Sequence, residues 1–469
     1  MKFGTSGLRG LVSDMTDEVC AEYAAAFVEH LRAAGRTPEA ILIGRDLRPS
    51  SPRIAEACAG ALIARGIQVI DCGALPTPAL ALASATRGMP AIMVTGSHIP
   101  FDRNGLKFYR ADGEITKADE AGMLAALGAG APAATPAEVV SDENAARLYL
   151  RRGVGFFPAG ALEGKRIGVY QHSAVGRDLT LESLRALGAD VIPLGRAETF
   201  VPIDTEAVRP EDEELARGWC AEHGLDAVVS TDGDGDRPLI GDETGTFLRG
   251  DVVGVLAARY LGAEAVATPV SSNTVLERSG WFPRISRTKI GSPYVIEAME
   301  SLTAGGAGLT VGYEANGGFL LGGPVTGATG ATLAPLATRD AMLPILAILA
   351  MAAESGRPLS GLAADLPPRF TASDRLAEFA PARSRSLLDA LASDEAARAG
   401  LLAAIGVAGT AVDLTDGVRM TLENDEIAHL RASGNAPELR CYAEAATPER
   451  AREMVAALLA RAGEMAPAA

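Results

Sequence analysis

Three aspartates alternate with glycine in Asp232-Gly-Asp-Gly-Asp236. Carboxylates packed this closely repel one another, and a bound cation relieves the repulsion. An all-oxygen ligand set selects a hard ion, so the segment points to Mg²⁺ or Ca²⁺. A calcium-binding EF-hand loop is the obvious competitor, and Glu243 stands at its twelfth position. Its sixth position, however, is Arg237 instead of glycine, and Pro238 follows. The flanks Ala227-Val-Val-Ser and Leu239-Ile240 read as strands rather than helices, which excludes the EF-hand. A plain polar turn is the remaining alternative, and it would leave the clustered charges with nothing to offset them.

A second centre is Thr95-Gly-Ser-His-Ile-Pro-Phe-Asp-Arg-Asn-Gly-Leu-Lys107. A serine after glycine at a strand end can be held in a tight turn, and His98, Arg103 and Lys107 lie close to it in sequence. Serine is a weak nucleophile unless it is activated or already carries the group to be transferred. Alone, this segment reads better as a polar loop than as a reactive centre. In Gly312-Tyr-Glu-Ala-Asn-Gly-Gly-Phe319, Glu314 and Asn316 are placed to hydrogen-bond adjacent sugar hydroxyls, since a carboxylate accepts and an amide both donates and accepts. Arg431-Ala-Ser-Gly-Asn-Ala-Pro-Glu-Leu-Arg440 combines two arginines, a hydroxyl, backbone amides and an amide side chain, the makings of a phosphate clamp. In isolation, each of the last two also reads as an ordinary turn.

Such segments need elements to hold them. Thr16 is placed to cap a helix whose face carries Cys20, Tyr23, Phe27 and Leu31, and Gly35 can end it. Strands are expected at 41–43, 68–70 and 91–94, with helices opening at Ser51-Pro52, Ser51 being the cap, and at Thr77-Pro78. The alternation restarts at Arg166 and again after Gly250, which predicts three related α/β units with sites at strand ends. Pro367-Pro368 marks a boundary. Beyond it, strands at 418–421, 426–431 and 439–443 and a helix opening at Thr447-Pro448 predict a smaller α+β domain, with 465–469 frayed.

The chain has 469 residues, 48% hydrophobic and 22% charged, enough for a full core. A net charge of −16 argues against nucleic-acid binding, yet local arginines can still hold an anionic ligand. The five cysteines are widely spaced without a Cys-x-x-Cys pair, the N-terminus has no apolar leader, and the apolar stretch 341–353 is too short for a bilayer. The expectation is a cytoplasmic protein with reduced thiols and no membrane partner, monomeric or homodimeric.

With the N-terminal Gly4-Thr-Ser-Gly-Leu-Arg-Gly10, the four segments in this order resemble the α-D-phosphohexomutase family over residues 4 to 440. The resemblance implies three α/β domains, 1–140, 141–249 and 250–367, then an α+β domain, 368–469, with the active-site cleft between them; the separate phosphate clamp predicts that the last domain closes over it. It implies an isomerase that moves a phosphoryl group on hexose phosphates, with Ser97 as phosphoserine and Mg²⁺ held by Ser97, Asp232, Asp234 and Asp236. Arg9, His98 and Lys107 would serve the chemistry. Arg237, Lys289, Glu314 and Asn316 would face the sugar phosphate. Arg431, Ser433, Gly434, Asn435 and Arg440 would hold the phosphate that is not reacting, and hexose 1,6-bisphosphate would be intermediate and activator. The pattern looks most like the bacterial phosphomannomutases, which implies mannose 6-phosphate and mannose 1-phosphate as the substrate pair. Phosphoglucomutase and phosphoglucosamine mutase activities are the rivals within the family, and a non-catalytic phosphosugar-binding protein is the rival outside it. Asn316 and Ser292 depart from the Ser and His that many relatives carry there.

Overall fold

The computed structural model describes residues 2–4, 7–128, 138–433 and 437–466. It is built on three mixed sheets that repeat one arrangement. In the first, the strands Ala40–Arg45, Gln68–Ala74 and Ala91–Val94 are parallel, and Arg103–Arg110 runs antiparallel beside Ala91–Val94. In the second, Arg166–His172, Asp190–Arg196 and Ala227–Thr231 are parallel and Pro238–Gly241 is antiparallel. In the third, Ala265–Pro269, Arg284–Thr288 and Thr310–Tyr313 are parallel and Phe319–Leu321 is antiparallel. Each time the spatial order is second, first, third, fourth. The three α/β units expected from the sequence are therefore related in topology, and the architecture is α/β followed by an α+β domain.

The repeat places the site. In each unit the turn between the third strand and its antiparallel partner carries one chemical segment: the Ser97 loop, the aspartate loop, or the Glu314 turn. The first sheet extends on one side through Leu8–Leu11 and Lys2–Phe3 and on the other through Val139–Ser141. Arg103–Arg110 is a strand, although its polar residues hide the alternation that would mark it.

Local rules hold with one shift. Thr16 caps Asp17–Ala33 through Val19 N–H, Gly35 follows at φ 74°, and Thr447 caps Pro448–Met465 through Arg450 N–H. Ser51 is not a cap but the first residue of Ser51–Ile63, because its hydroxyl donates instead to Asp46 Oδ1 at 2.6 Å. Met465 is helical, so the expected fraying does not include it, and 467–469 lie outside the described residues.

The apolar stretch near 341–353 forms Met342–Ser355, a helix buried on nearly every side in a core shared by the three α/β units. No helix among the described residues is long and apolar enough to cross a membrane. The C-terminal unit is an antiparallel sheet in the order Phe370–Leu376, Leu439–Ala445, Ile427–Ala432, Val418–Leu422, Gly409–Asp413. Helices Pro381–Ser393, Glu395–Leu402 and Pro448–Met465 cover one face and enclose a separate core around Leu391, Met420, Cys441 and Leu458. Two of its five strands, Phe370–Leu376 and Gly409–Asp413, are exposed edges without the apolar alternation that signals a strand.

Candidate active site

Ser97 is buried at the tip of its turn with φ 56°, a left-handed conformation that residues with a Cβ rarely adopt. The surroundings over-determine it. Thr95 Oγ1 accepts from Ser97 N–H at 2.8 Å and donates to Asp46 Oδ2 at 2.8 Å. Arg48 is buried beneath the loop and commits all five of its N–H donors. Nε reaches Asp46 at 3.1 Å, Nη1 the carbonyls of Pro100 (2.7 Å) and Arg103 (3.1 Å), and Nη2 those of Ser97 (2.8 Å) and Ile99 (2.6 Å). Gly96 is required because a Cβ there would strike the guanidinium. Phe200, from the second unit, lies over the guanidinium at 4.1 Å.

Ser97 Oγ donates to Asp232 Oδ2 at 2.6 Å, so the serine and aspartate loops meet. Ligand atoms of Asp232, Asp234 and Asp236 lie within 4.8 Å of one another, and all three residues are buried. Asp234 accepts from Thr77 Oγ1 (2.6 Å) and Lys107 Nζ (2.7 Å), and Asp236 from Lys107 Nζ (2.8 Å). Asp234 Oδ1 and Asp236 Oδ1 are buried without any hydrogen-bond partner. Buried carboxylate oxygens with nothing to bind are what a cation would satisfy, so the donor set fits a hard divalent ion. Burial, then Asp234 and Asp236, push the Asp232 carboxyl well up. Burial acts in the same sense on Asp236, but Arg339, Lys107 and Arg237 outweigh it and hold that carboxyl down.

Cations surround the triad. Burial alone would lower the Lys107 pKa, but Asp234 and Asp236 leave it raised, so Lys107 stands as an ammonium. Burial, then Arg237 and Arg339, pull Arg9 down to about 10, still a cation at neutral pH. Arg237 Nε lies 3.9 Å from Asp232 and 3.7 Å from Asp236. His98 Nδ1 is 3.3 Å from Ser97 Oγ, and burial, then Arg237 and Arg9, push its pKa well below the usual value, keeping the ring neutral.

Arg339, which the sequence did not single out, binds Asp236 Oδ2 through Nε (3.2 Å) and Nη2 (2.7 Å) and Glu314 Oε2 through Nη1 (2.7 Å). The Glu314 turn is thereby joined to the aspartate loop. Asn316 Oδ1 accepts from Gly318 N–H at 2.9 Å, and its carbonyl accepts from Thr205 Oγ1 at 2.7 Å. The amide of Asn316 is thus half committed to its own turn. Among the described residues, Glu314 Oε1 and Asn316 Nδ2 are the acceptor and donor left over. Ser292 opens the helix Ser292–Ala304, buried 3.5 Å from Glu114 Oε2.

In the C-terminal unit, Arg431 and Arg440 are partners on adjacent strands, and Arg375 is the partner of Arg440 on the next. Cross-strand partners share a face, so three arginines form a row. Asp416 bridges Arg431 Nε (3.3 Å) to Ile290 N–H of the third unit (3.0 Å), beside the exposed Lys289. Glu438 holds Arg440 at 3.2 Å. Ser433 N–H donates to the Glu438 carbonyl at 2.9 Å, while Gly434 and Asn435 lie outside the described residues. Arg48, Arg339 and Arg375 escaped sequence reasoning. The only signal for the first two was an Arg-Asp or Asp-x-Arg pair beside apolar residues, as in Asp46-Leu-Arg48 and Arg339-Asp340.

Phosphoglucomutase/phosphomannomutase alpha/beta/alpha domain I matches residues 1–129, domain III matches 249–370, and the C-terminal domain matches 382–461. The chain is 47% identical over 463 residues to a phosphomannomutase of Salmonella muenchen, covering 98% of this chain and 95% of that protein. It is 46% identical over 471 residues to a phosphomannomutase of Sinorhizobium fredii, with 98% of each covered. A phosphoglucosamine mutase of Paracoccus denitrificans is 30% identical over 476 residues, again with 98% of each covered. In fold, a phosphoglucomutase/phosphomannomutase family protein of Burkholderia thailandensis superposes with TM-score 0.78 at 21% identity, over 99% of this chain and 98% of that one. On these matches, the chain belongs to the phosphoglucomutase/phosphomannomutase family.

Proposed function

We propose that this chain is a phosphomannomutase, interconverting mannose 6-phosphate and mannose 1-phosphate through a phosphorylated Ser97 and a hexose 1,6-bisphosphate. The observation that carries the phosphoryl chemistry is Ser97 Oγ, held by a left-handed turn 2.6 Å from one of three buried aspartates. The choice of mannose is supported by 47% identity to a phosphomannomutase against 30% to a phosphoglucosamine mutase.

In the first half-reaction, the bond from phosphorus to Ser97 Oγ breaks as one forms to the sugar O1. The O1 proton leaves and Ser97 Oγ regains one. In the second, the bond from phosphorus to O6 of the turned bisphosphate breaks as one forms to Ser97 Oγ, whose proton leaves while O6 takes one up. Mg²⁺, held by the Ser97 phosphate with Asp232, Asp234 and Asp236, would neutralise charge on the group in flight. Arg9, Lys107 and Arg237 are cations that stabilise that charge. His98 Nδ1 adjoins the serine oxygen whose proton comes and goes. Glu314 Oε1 and Asn316 Nδ2 read two hydroxyls, and Lys289 faces the sugar phosphate. Arg431, Ser433 and Arg440, with Gly434 and Asn435, hold the distal phosphate. The domain limits 1–140, 141–249, 250–367 and 368–469, a cytoplasmic location suited to five buried thiols, and activation by hexose 1,6-bisphosphate belong to the same proposal.

Turnover of mannose, glucose and glucosamine phosphates with the bisphosphate present tests the substrate. Mannose phosphate should be preferred, and a glucosamine phosphate preferred by about tenfold refutes the choice. Mass spectrometry should find phosphate on Ser97, and Ser97→Ala should lose turnover while still binding hexose phosphate. Wild-type turnover in that variant would show that Ser97 is not the carrier.

A further inference from the structure

Arg339, the penultimate residue of the strand Leu336–Asp340, lies between two carboxylates with different tasks, Asp236 of the metal loop and Glu314 of the sugar turn. A guanidinium is planar and rigid, so the fork fixes the separation and relative orientation of the two groups it holds. The fork itself cannot drift. Thr338 Oγ1 donates to Glu114 Oε1 of the first unit at 2.8 Å. On the other side, Asp340 Oδ1 accepts from Tyr149 (2.5 Å) and from Met342 N–H (2.9 Å), at the start of the buried helix. Gly318 lacks the Cβ that would collide with the Arg339 stem. The residue is 4% exposed, so solvent does not weaken these contacts.

We propose that Arg339 is a positioning residue that registers the sugar-reading turn against the metal loop. With Oε2 of Glu314 fixed by the fork, Oε1 stands at a set distance from the ion site, which selects the pair of hexose hydroxyls presented when a phosphoryl group is in place. The proposal rests on the roles given above to Glu314 and the aspartates. The same cation opposes the ion, because a positive charge on Asp236 repels a second one nearby. The two effects of the fork therefore have opposite signs. Removing it loosens the sugar and tightens the metal, whereas a merely structural lesion weakens both.

The test measures Mn²⁺ affinity calorimetrically, together with KM for hexose 6-phosphate, in wild type, Arg339→Met, Arg339→Lys and Asp234→Ala. Arg339→Met should raise KM about tenfold and bind the ion about threefold or more tighter. Arg339→Lys, which keeps the charge without the fork, should return ion affinity to the wild-type value and leave KM raised. KM within twofold of wild type in both variants overturns the proposal, as does ion binding weakened in Arg339→Met. If Arg339→Met does not fold, Arg339→Lys decides by its KM alone. Asp234→Ala separates the two failures: if it binds the ion like wild type, the metal-site reading itself is wrong.

Discussion

Ser97 was legible as a candidate because a glycine precedes it at a strand end, but what holds it there was not. Arg48 stands between Arg45 and Arg53 in a polar stretch, and nothing in sequence says that it is the one that turns inward. Its role exists only because the serine loop folds its carbonyls back over it. Lysine at this position keeps the charge and loses the five-donor fork. Arg48→Lys should leave a folded protein with kcat reduced about tenfold or more, because a misplaced nucleophile loses its alignment with the acceptor. Steady-state kinetics and a thermal melt together check this; wild-type kcat would mean that Thr95 and Asp46 suffice to hold the loop.

Among the elements, the parallel strands and helices of the first unit were readable from alternation, turn residues and caps, whereas the parallel strand Arg284–Thr288 and the helix Ser292–Ala304 of the third were not. Of the antiparallel partners, Leu239-Ile240 was read as a strand and lies in Pro238–Gly241, whereas Arg103–Arg110 and Phe319–Leu321 were missed. Arg103–Arg110 buries Asn104 and Lys107 for the site, and polar residues spent on chemistry erase the apolar period that reveals a strand. The aspartate loop was legible for the opposite reason, since its charges are too concentrated to ignore. One contact between elements makes a prediction of its own. Gly250 opens the helix Gly250–Tyr260 directly beneath the sugar turn, and a Cβ on it would enter the backbone of 315–317. Gly250→Ala should displace Glu314 and Asn316 together, raising KM for hexose phosphate and costing about 1–3 kcal/mol of stability. Urea unfolding and KM measure the two effects, and a change in neither means that the turn yields freely.

Across the whole molecule, the three α/β units meet in one shared core beside separate cores of their own, and the C-terminal unit has another, an arrangement the Pro367-Pro368 boundary foreshadowed. Each of the two bodies contains a buried histidine in the same predicament. The carbonyl of Thr231 accepts from His172 Nε2–H at 2.9 Å and that of Asp416 from His429 Nε2–H at 2.6 Å, and neither Nδ1 has a partner. Burial pushes both pKa values down to about 4. An unfolded histidine titrates near 6.5. Between the two values the unfolded chain takes up protons that the native one refuses, so stability is intact above about 6.5 and falls as pH drops towards 4. Each ring accounts for on the order of 3 kcal/mol over that window. Urea unfolding at pH 7 and 5 should show the loss, and His429→Gln should reduce it; an equal slope in that variant counts against the assignment.

The left-handed φ of Ser97 also bears on which residues could ever replace it. Threonine offers the same hydroxyl, but a β-branched side chain at φ 56° is a severe outlier, so the fold admits only the smaller alcohol as carrier. The same torsion inverts an ordinary rule of substitution. Glycine normally costs stability relative to alanine, yet here Ser97→Gly should be more stable than Ser97→Ala by about 1 kcal/mol, as both lose the hydroxyl and only alanine keeps the strain. Comparing the melting of these two inactive variants weighs the conformational cost of the nucleophile, and the opposite order would mean that the backbone relaxes. Selection for turnover has kept at this turn a residue that selection for stability alone would discard.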